Sequence, residues 1–150
     1  MPIKRNENLK AISREHHHGL LLSWKIRAGL KKEIEPSRVK KYLDWFYVNH
    51  LLPHFELEEK YVFTILGEDN DLVKKALAEH RRLIRLFETE AATVTNLSLI
   101  EEELESHIRF EERILFNQIQ TVATEEQLEL IKKVHTEDKF VDNITDAFWL

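Results

Sequence analysis

Residues 39–65 read VKKYLDWFYVNHLLPHFELEEKYVFTI. Apolar side chains recur here every three or four positions, at Val39, Tyr42, Leu43, Phe46, Tyr47, Leu51, Tyr61, Val62 and Ile65. That period puts them on one face of an α-helix, whereas a strand would alternate them. Between Leu51 and Tyr61 the apolar face is interrupted by His54 and Glu58, four apart and therefore stacked on the same side. The stretch predicts a helix over about 37–66. Pro36, tolerated in a first turn, opens it, and Gly67, expected at a left-handed stop, closes it.

Working outward, the same three-and-four spacing predicts helices over about 9–35, 71–92 and 99–122. Asp71 is the expected N-cap of the third, and residues 93–98, rich in Thr, Asn and Ser, read as a connection. A last helix starts at Thr124, where Thr124-Glu125-Glu126-Gln127 matches a capping box, and is expected to continue to about 148. The stripes contain Leu72, Val73, Ala76, Leu77, Leu83, Ile84 and Phe87 in the third segment. In the fourth they contain Ile100, Leu104, Ile108, Ile114, Leu115 and Ile119. Four such helices with short connections pack as antiparallel neighbours. The fold class is therefore all-α: an up-down-up-down four-helix bundle over about 9–122 with an additional C-terminal helix over about 124–148. It forms one domain of 150 residues.

Composition narrows the chemistry. Hydrophobic residues are 43% and charged ones 33% of the chain, which suits a bundle with solvated outer faces, and three Gly and three Pro leave little material for turns. There is no cysteine, which excludes disulfides, thiolate metal sites, iron–sulfur clusters and thiol nucleophiles. The net charge of −5 and the lack of a concentrated basic face argue against nucleic acid. The pairs Lys31-Lys32, Lys40-Lys41 and Arg81-Arg82 sit beside acidic residues and read as solvated faces. No segment approaches the ~20 apolar residues of a membrane span, so the protein is expected in the cytoplasm. Eight His stand out, and without sulfur any metal must be held by imidazole and carboxylate.

The informative residues are those on an apolar stripe that are not apolar. His107 and Glu111 repeat the His54–Glu58 pattern between Leu104 and Ile114, and His80 stands between Leu77 and Ile84. His16, His17 and His18 turn by about 100° each, so only one of them faces the core squarely. Leu9, Ile12, Leu20 and Trp24 favour His16; Leu20, Leu21, Trp24 and Ala28 alone favour His17. His18 falls on the Arg14 and Lys25 side and reads as exposed, and His135, beside Lys132 and Lys133, reads as surface. His50 lies one turn before His54 with Pro53 between them. The kink a Pro imposes would let both imidazoles approach one ion, or let His50 hold a ligand in orientation.

For each residue there is a plainer reading. A single core His is commonly just hydrogen-bonded, and one HxxxE is commonly a surface pair. A buried carboxylate without a partner nevertheless costs several kcal/mol. A His on the buried face of every helix, with a Glu at i+4 on alternate helices, needs compensation that a pair of divalent cations supplies.

At this point the chain resembles the hemerythrin-like, HHE cation-binding family. The matching pieces are Glu15-His16-His17, His54-Phe55-Glu56-Leu57-Glu58-Glu59, Glu79-His80 and His107-Ile108-Arg109-Phe110-Glu111-Glu112, over roughly 9–122. The resemblance implies two iron ions bridged by the carboxylates of Glu58 and Glu111, with His16 (or His17), His54, His80 and His107 as terminal ligands. Oxygen-carrying hemerythrins place two His a turn apart in the third helix, whereas Ala76 stands a turn before His80 here. Either His50 substitutes, water fills the position, or the metals are held less symmetrically.

A His-rich site with two carboxylates suits Fe, Mn or Zn more than Ca or Mg. The first expectation is a non-haem di-iron protein that binds or senses O2, NO or iron, with peroxide a further small ligand. The alternatives are a di-iron oxidoreductase or peroxidase-like enzyme, ranked lower because di-iron oxygenases of bundles carry more carboxylates, and a metal-free structural or interaction bundle.

Overall fold

The computed structural model describes residues 4–135 and 140–150. After a short 3-10 turn at Glu7–Leu9, helix α1 spans Lys10–Lys31. Helix α2 covers residues 36–65: α-helical segments Pro36–Phe46 and Leu52–Leu57, π-helical turns Tyr47–Leu51 and Glu58–Val62, and a closing 3-10 turn Phe63–Ile65. Helix α3 spans Asp71–Glu88. Helix α4 covers residues 94–122, with a π-helical turn Glu111–Leu115 inside it, and α5 spans Glu125–Val134. The described residues contain no strand, and no helix among them is long and apolar enough to cross a membrane.

Local chemistry sets the boundaries. Pro36 occupies the first turn of α2, and Gly67 comes after that helix with φ of 89°, a conformation that costs glycine nothing. Asn70 rather than Asp71 caps α3, its side chain accepting from the N–H groups of Leu72 and Val73. The fourth helix begins at Val94, earlier than the expected 99, because the Thr93 hydroxyl accepts from the N–H of Asn96 and starts the helix within the polar stretch. The capping box at Thr124 and Gln127 is formed. Helices α1 and α3 stop at Lys31 and Glu88, short of the expected 35 and 92.

Buried apolar residues form two cores. One contains Leu22, Ile26, Val39, Tyr42, Leu83, Leu97 and Leu104; the other contains Leu9, Ile12, Val62, Val73, Ala76, Leu115 and Ile119. Helix α1 runs from the second core to the first, α2 back to the second, α3 to the first and α4 to the second. The chain is thus an up-down-up-down bundle, and each helix carries its inward polar residues across the level between the two cores. Near that level α1 and α4 lie close: a Cβ on Gly19 would stand 2.6 Å from Cδ1 of Ile108.

The C-terminal segment corrects the sequence reading. Helix α5 ends at Val134, residues 136–139 lie outside the described residues, and residues 140–150 form turns instead of carrying the helix to 148. The Asp142 and Asn143 side chains take the N–H groups of Asn143 and Thr145, a local arrangement that competes with helix. Asp142 accepts from buried Lys25 at 2.5 Å and from the Tyr42 hydroxyl at 2.5 Å. Phe148 inserts into the first core at 2% exposure, and Arg38 grips Asp146 with two bonds of 2.7 and 2.9 Å.

Candidate metal centre

Six of the polar residues read from the stripes meet at the level between the cores: His16 from α1, His54 and Glu58 from α2, His80 from α3, and His107 and Glu111 from α4. All are buried, and both Glu have 0% exposure. Glu58 and Glu111 each open a π-helical turn. Such turns insert a residue into the helical repeat and gather at functional sites. The turn at Glu111 rotates the residues downstream of it, so Ile114, which a regular helix would keep on the buried stripe, is 49% exposed while Leu115 and Phe116 point inward.

The two carboxylates stand at the centre. Glu58 Oε1 lies 3.2 Å from Nε2 of His54 and 3.3 Å from Nε2 of His80, and its Oε2 lies 3.5 Å from Nε2 of His16. Glu111 Oε1 lies 3.3 Å from Nε2 of His80 and also touches Nε2 of His107, and its Oε2 lies 3.1 Å from Nε2 of His16. Two four-residue groups result, each with ligand atoms within 4.8 Å of one another: His16, His54, Glu58 and Glu111, and Glu58, His80, His107 and Glu111. They share both carboxylates.

These residues fit a pair of cations. Nε2 of His16, His54 and His107, both oxygens of Glu58 and Oε2 of Glu111 are buried with no aligned hydrogen-bond partner among the described residues, although they crowd one another. Leaving one such atom unpaired costs about 1–3 kcal/mol. Ligands about 2.1 Å from a common ion stand about 3.0 Å apart at right angles, close to the separations found.

Electrostatics agree. Burial opposes charge on each imidazole, but the carboxylates outweigh it. Glu111, Glu112 and Glu58 hold His16 well above the ordinary range, and Glu111, Glu58 and Glu59 do the same to His80. Glu58 and Glu15 raise His54 to about 9, and Glu111 and Glu79 raise His107. Burial pushes both central carboxyls up, and the charge of Glu111 pushes Glu58 up further, yet the imidazoles hold both below the ordinary carboxylate range, Glu111 most strongly through His107. Protonated imidazole is thus favoured beside the two carboxylates where no metal is bound, and a cation at Nε2 would displace those protons.

Each imidazole is also held from behind. Nδ1 of His16 lies 2.5 Å from Glu112, that of His54 2.8 Å from Glu15, that of His80 2.8 Å from Glu59 and that of His107 2.7 Å from Glu79. The four contacts close a ring: α1 holds the His of α2, α2 that of α3, α3 that of α4 and α4 that of α1. A proton on Nδ1 shared with carboxylate leaves the Nε2 lone pair for a cation and fixes the ring plane. Three of the outer carboxylates are themselves held, Glu112 by Arg5 at 3.0 Å, Glu15 by His135 at 3.1 Å and Glu79 by Lys75 at 2.5 Å. The stripes did not reveal this ring. Its signal is adjacency, because every one of these Glu is the immediate neighbour of an inward His or Glu.

The hemerythrin HHE cation binding domain family matches residues 7–119. The chain belongs to that family. No curated protein and no solved structure matches it. As an HHE domain it is a cation-binding bundle whose buried His and Glu residues can hold a metal.

Within the HHE domain the reserve histidines separate from the six. His17 is exposed, its ring beside that of His18. His50 lies on the π-helical turn Tyr47–Leu51, outside both ligand groups, among the rings of Trp45, Phe46 and Phe140. It does not replace the ligand that Ala76 lacks; Ala76 is buried in the second core, and each group is left with two His and two Glu. His18 and His135, read as surface, are half-buried. His18 stacks on Phe140 at 4.0 Å and His135 pairs with Glu15, because the C-terminal segment folds back over this side of α1. A cavity of about 490 Å³ opens here, bordered by His16, His54 and His107 but not by His80, whose ring is covered by Phe55 at 3.8 Å and Phe63 at 5.3 Å.

Proposed function

We propose that the protein is a cytoplasmic non-haem di-iron protein that binds or senses O2, NO or peroxide, or iron itself. The observation that carries this reading is the pair of four-residue groups sharing Glu58 and Glu111. His16 and His54 would hold one ion and His80 and His107 the other, with both carboxylates between them. Imidazole with carboxylate favours Fe, Mn or Zn over Ca or Mg. Two iron ions at these positions supply a redox-active pair with affinity for small oxygen and nitrogen ligands.

The chain's own residues do the rest. The outer Glu hold the Nδ1 protons, so each Nε2 faces the centre, and Phe55 and Phe63 exclude water from His80. The cavity gives a small ligand access to both imidazoles of the His16–His54 position and, at the other position, to His107 but not to His80. Elemental analysis of protein purified without a nickel column tests the reading. Two Fe per chain are expected; no stoichiometric Fe, Mn or Zn would overturn it.

The same cavity favours a second reading, a di-iron oxidoreductase with peroxidase-like turnover. Reductant-dependent consumption of peroxide by the iron-loaded protein, lost in His54→Ala, would select it over simple binding.

A further inference from the structure

The cavity beside His16 and His54, at about 490 Å³, is larger than a diatomic ligand or peroxide needs. A water occupies about 30 Å³ of liquid, and a diatomic is of that order. Pockets that take small organic molecules run from about 300 to 1,000 Å³.

Its walls are mainly apolar and aromatic, with Phe46, Leu51, Phe55, Leu104, Ile108 and Phe140 around it. His50 sits in an aromatic niche, its ring 5.0 Å from that of Trp45 and 4.7 Å from that of Phe140. Three polar groups border the space. Burial holds His50 below the ordinary imidazole range. Asn49 donates its Nδ2 to the Trp45 carbonyl, which leaves Oδ1 as an acceptor. Nδ1 of His18 is buried with no hydrogen-bond partner among the described residues.

The charges at the cavity are already matched. Arg14 at its rim is engaged, its Nε donating to the Lys10 carbonyl, and the inner imidazoles each face carboxylates on both ring nitrogens. Among the described residues an anionic ligand would meet that carboxylate-rich wall with the cationic groups there already engaged, His135 by Glu15 included, whereas an uncharged one loses nothing.

The geometry points to a binding site in this cavity for a small uncharged aromatic molecule bearing a hydroxyl, of the phenol class. Its ring lies among Phe46, Phe55 and Phe140, and its hydroxyl is held at His50 and Asn49. The site goes beyond the di-iron reading and does not depend on it, since every group that forms it belongs to the chain.

Titration of phenol into the metal-free and the iron-loaded protein, monitored by calorimetry and by Trp45 fluorescence, tests it. Saturable one-to-one binding is expected in both forms, with benzoate weaker in the metal-free one. His50→Phe should weaken phenol about tenfold, the loss of one hydrogen bond, while leaving toluene unchanged. Asn49→Trp, at an exposed position on the cavity's edge, should weaken both by filling the mouth, and it keeps the test decisive where His50→Phe disturbs the fold. No saturable phenol binding, benzoate binding the metal-free protein as well as phenol does, or phenol binding indifferent to both substitutions would overturn the proposal. The metal-free arm separates the two readings: absent phenol binding leaves metal stoichiometry standing, and absent metal leaves the cavity standing.

Discussion

Nδ1 of His107 on α4 lies 2.7 Å from Oε1 of Glu79 on α3, and the same relation passes from helix to helix until it returns to its start. Four imidazoles are thus oriented by four carboxylates before any cation arrives, and the entropy of ordering them is already spent in folding. Glu79→Ala, on a side chain 28% exposed, should leave the fold intact and lower metal affinity by about 10- to 100-fold. Competition against a chelator of known affinity measures this, and Glu79→Gln, which keeps an acceptor oxygen, should fall between.

The two histidines left open by the first stripe give a paired prediction. His16 is buried against Glu58, Glu111 and Glu112, and His17 is in solvent. His17→Ala should keep the wild-type metal content and melting temperature, whereas His16→Ala should weaken the ion shared with His54 first. Metal content of the two variants, prepared side by side, checks it; equal loss in both would contradict the assignment.

The pH dependence of the metal-free protein rests on two shifts. His54 is raised from the ordinary 6.5 to about 9, so its contribution is complete below pH 6.5 and is lost as pH rises through 9. Glu15 is lowered from 4.5 to about 2, against burial, by His135 and His54; its contribution is complete above pH 4.5 and is lost as pH falls through 2. The melting temperature of the metal-free protein should therefore be highest between about pH 4.5 and 6.5 and should decline toward pH 9. Metal competes with the same protons, so the stabilisation it adds should grow over pH 6.5–9. Thermal melts with and without iron across this range measure both, and a metal increment that shrinks with rising pH would contradict the exchange of protons for cations.

The C-terminal segment is a structural tie. Phe148→Ala should cost about 3–5 kcal/mol in urea unfolding, the usual loss for a buried ring. Asp142→Ala removes the carboxylate partner of buried Lys25 and should destabilise by a similar amount, about 3–5 kcal/mol. Neither should change metal stoichiometry, because neither residue belongs to the central groups.

The stripes made the bundle legible, and the six central residues were legible as polar side chains where apolar ones belong. Glu15, Glu59, Glu79 and Glu112 were not. Each is turned about 100° from its inward neighbour, which on a single helix reads as a solvated face and becomes a contact only when the next helix is in place. Ile114 was misplaced for a related reason, since nothing in a three-and-four repeat announces the π-helical turn at Glu111. The end of α5 was overrun because the spacing of Phe140, Ile144 and Phe148 suits a helix as well as a docked segment. Contacts distant in sequence, Lys25 to Asp142 and Arg38 to Asp146, decide between them.

The central claim is that Glu58 and Glu111 belong to two cation positions at once. Metal content of untagged wild type against the Glu58→Ala, Glu111→Ala double variant tests this most directly, with circular dichroism to verify that both are helical. Two irons per chain in the wild type and none in the variant are predicted. A folded double variant that retains the wild-type metal content, or a wild type that holds no metal, would contradict it.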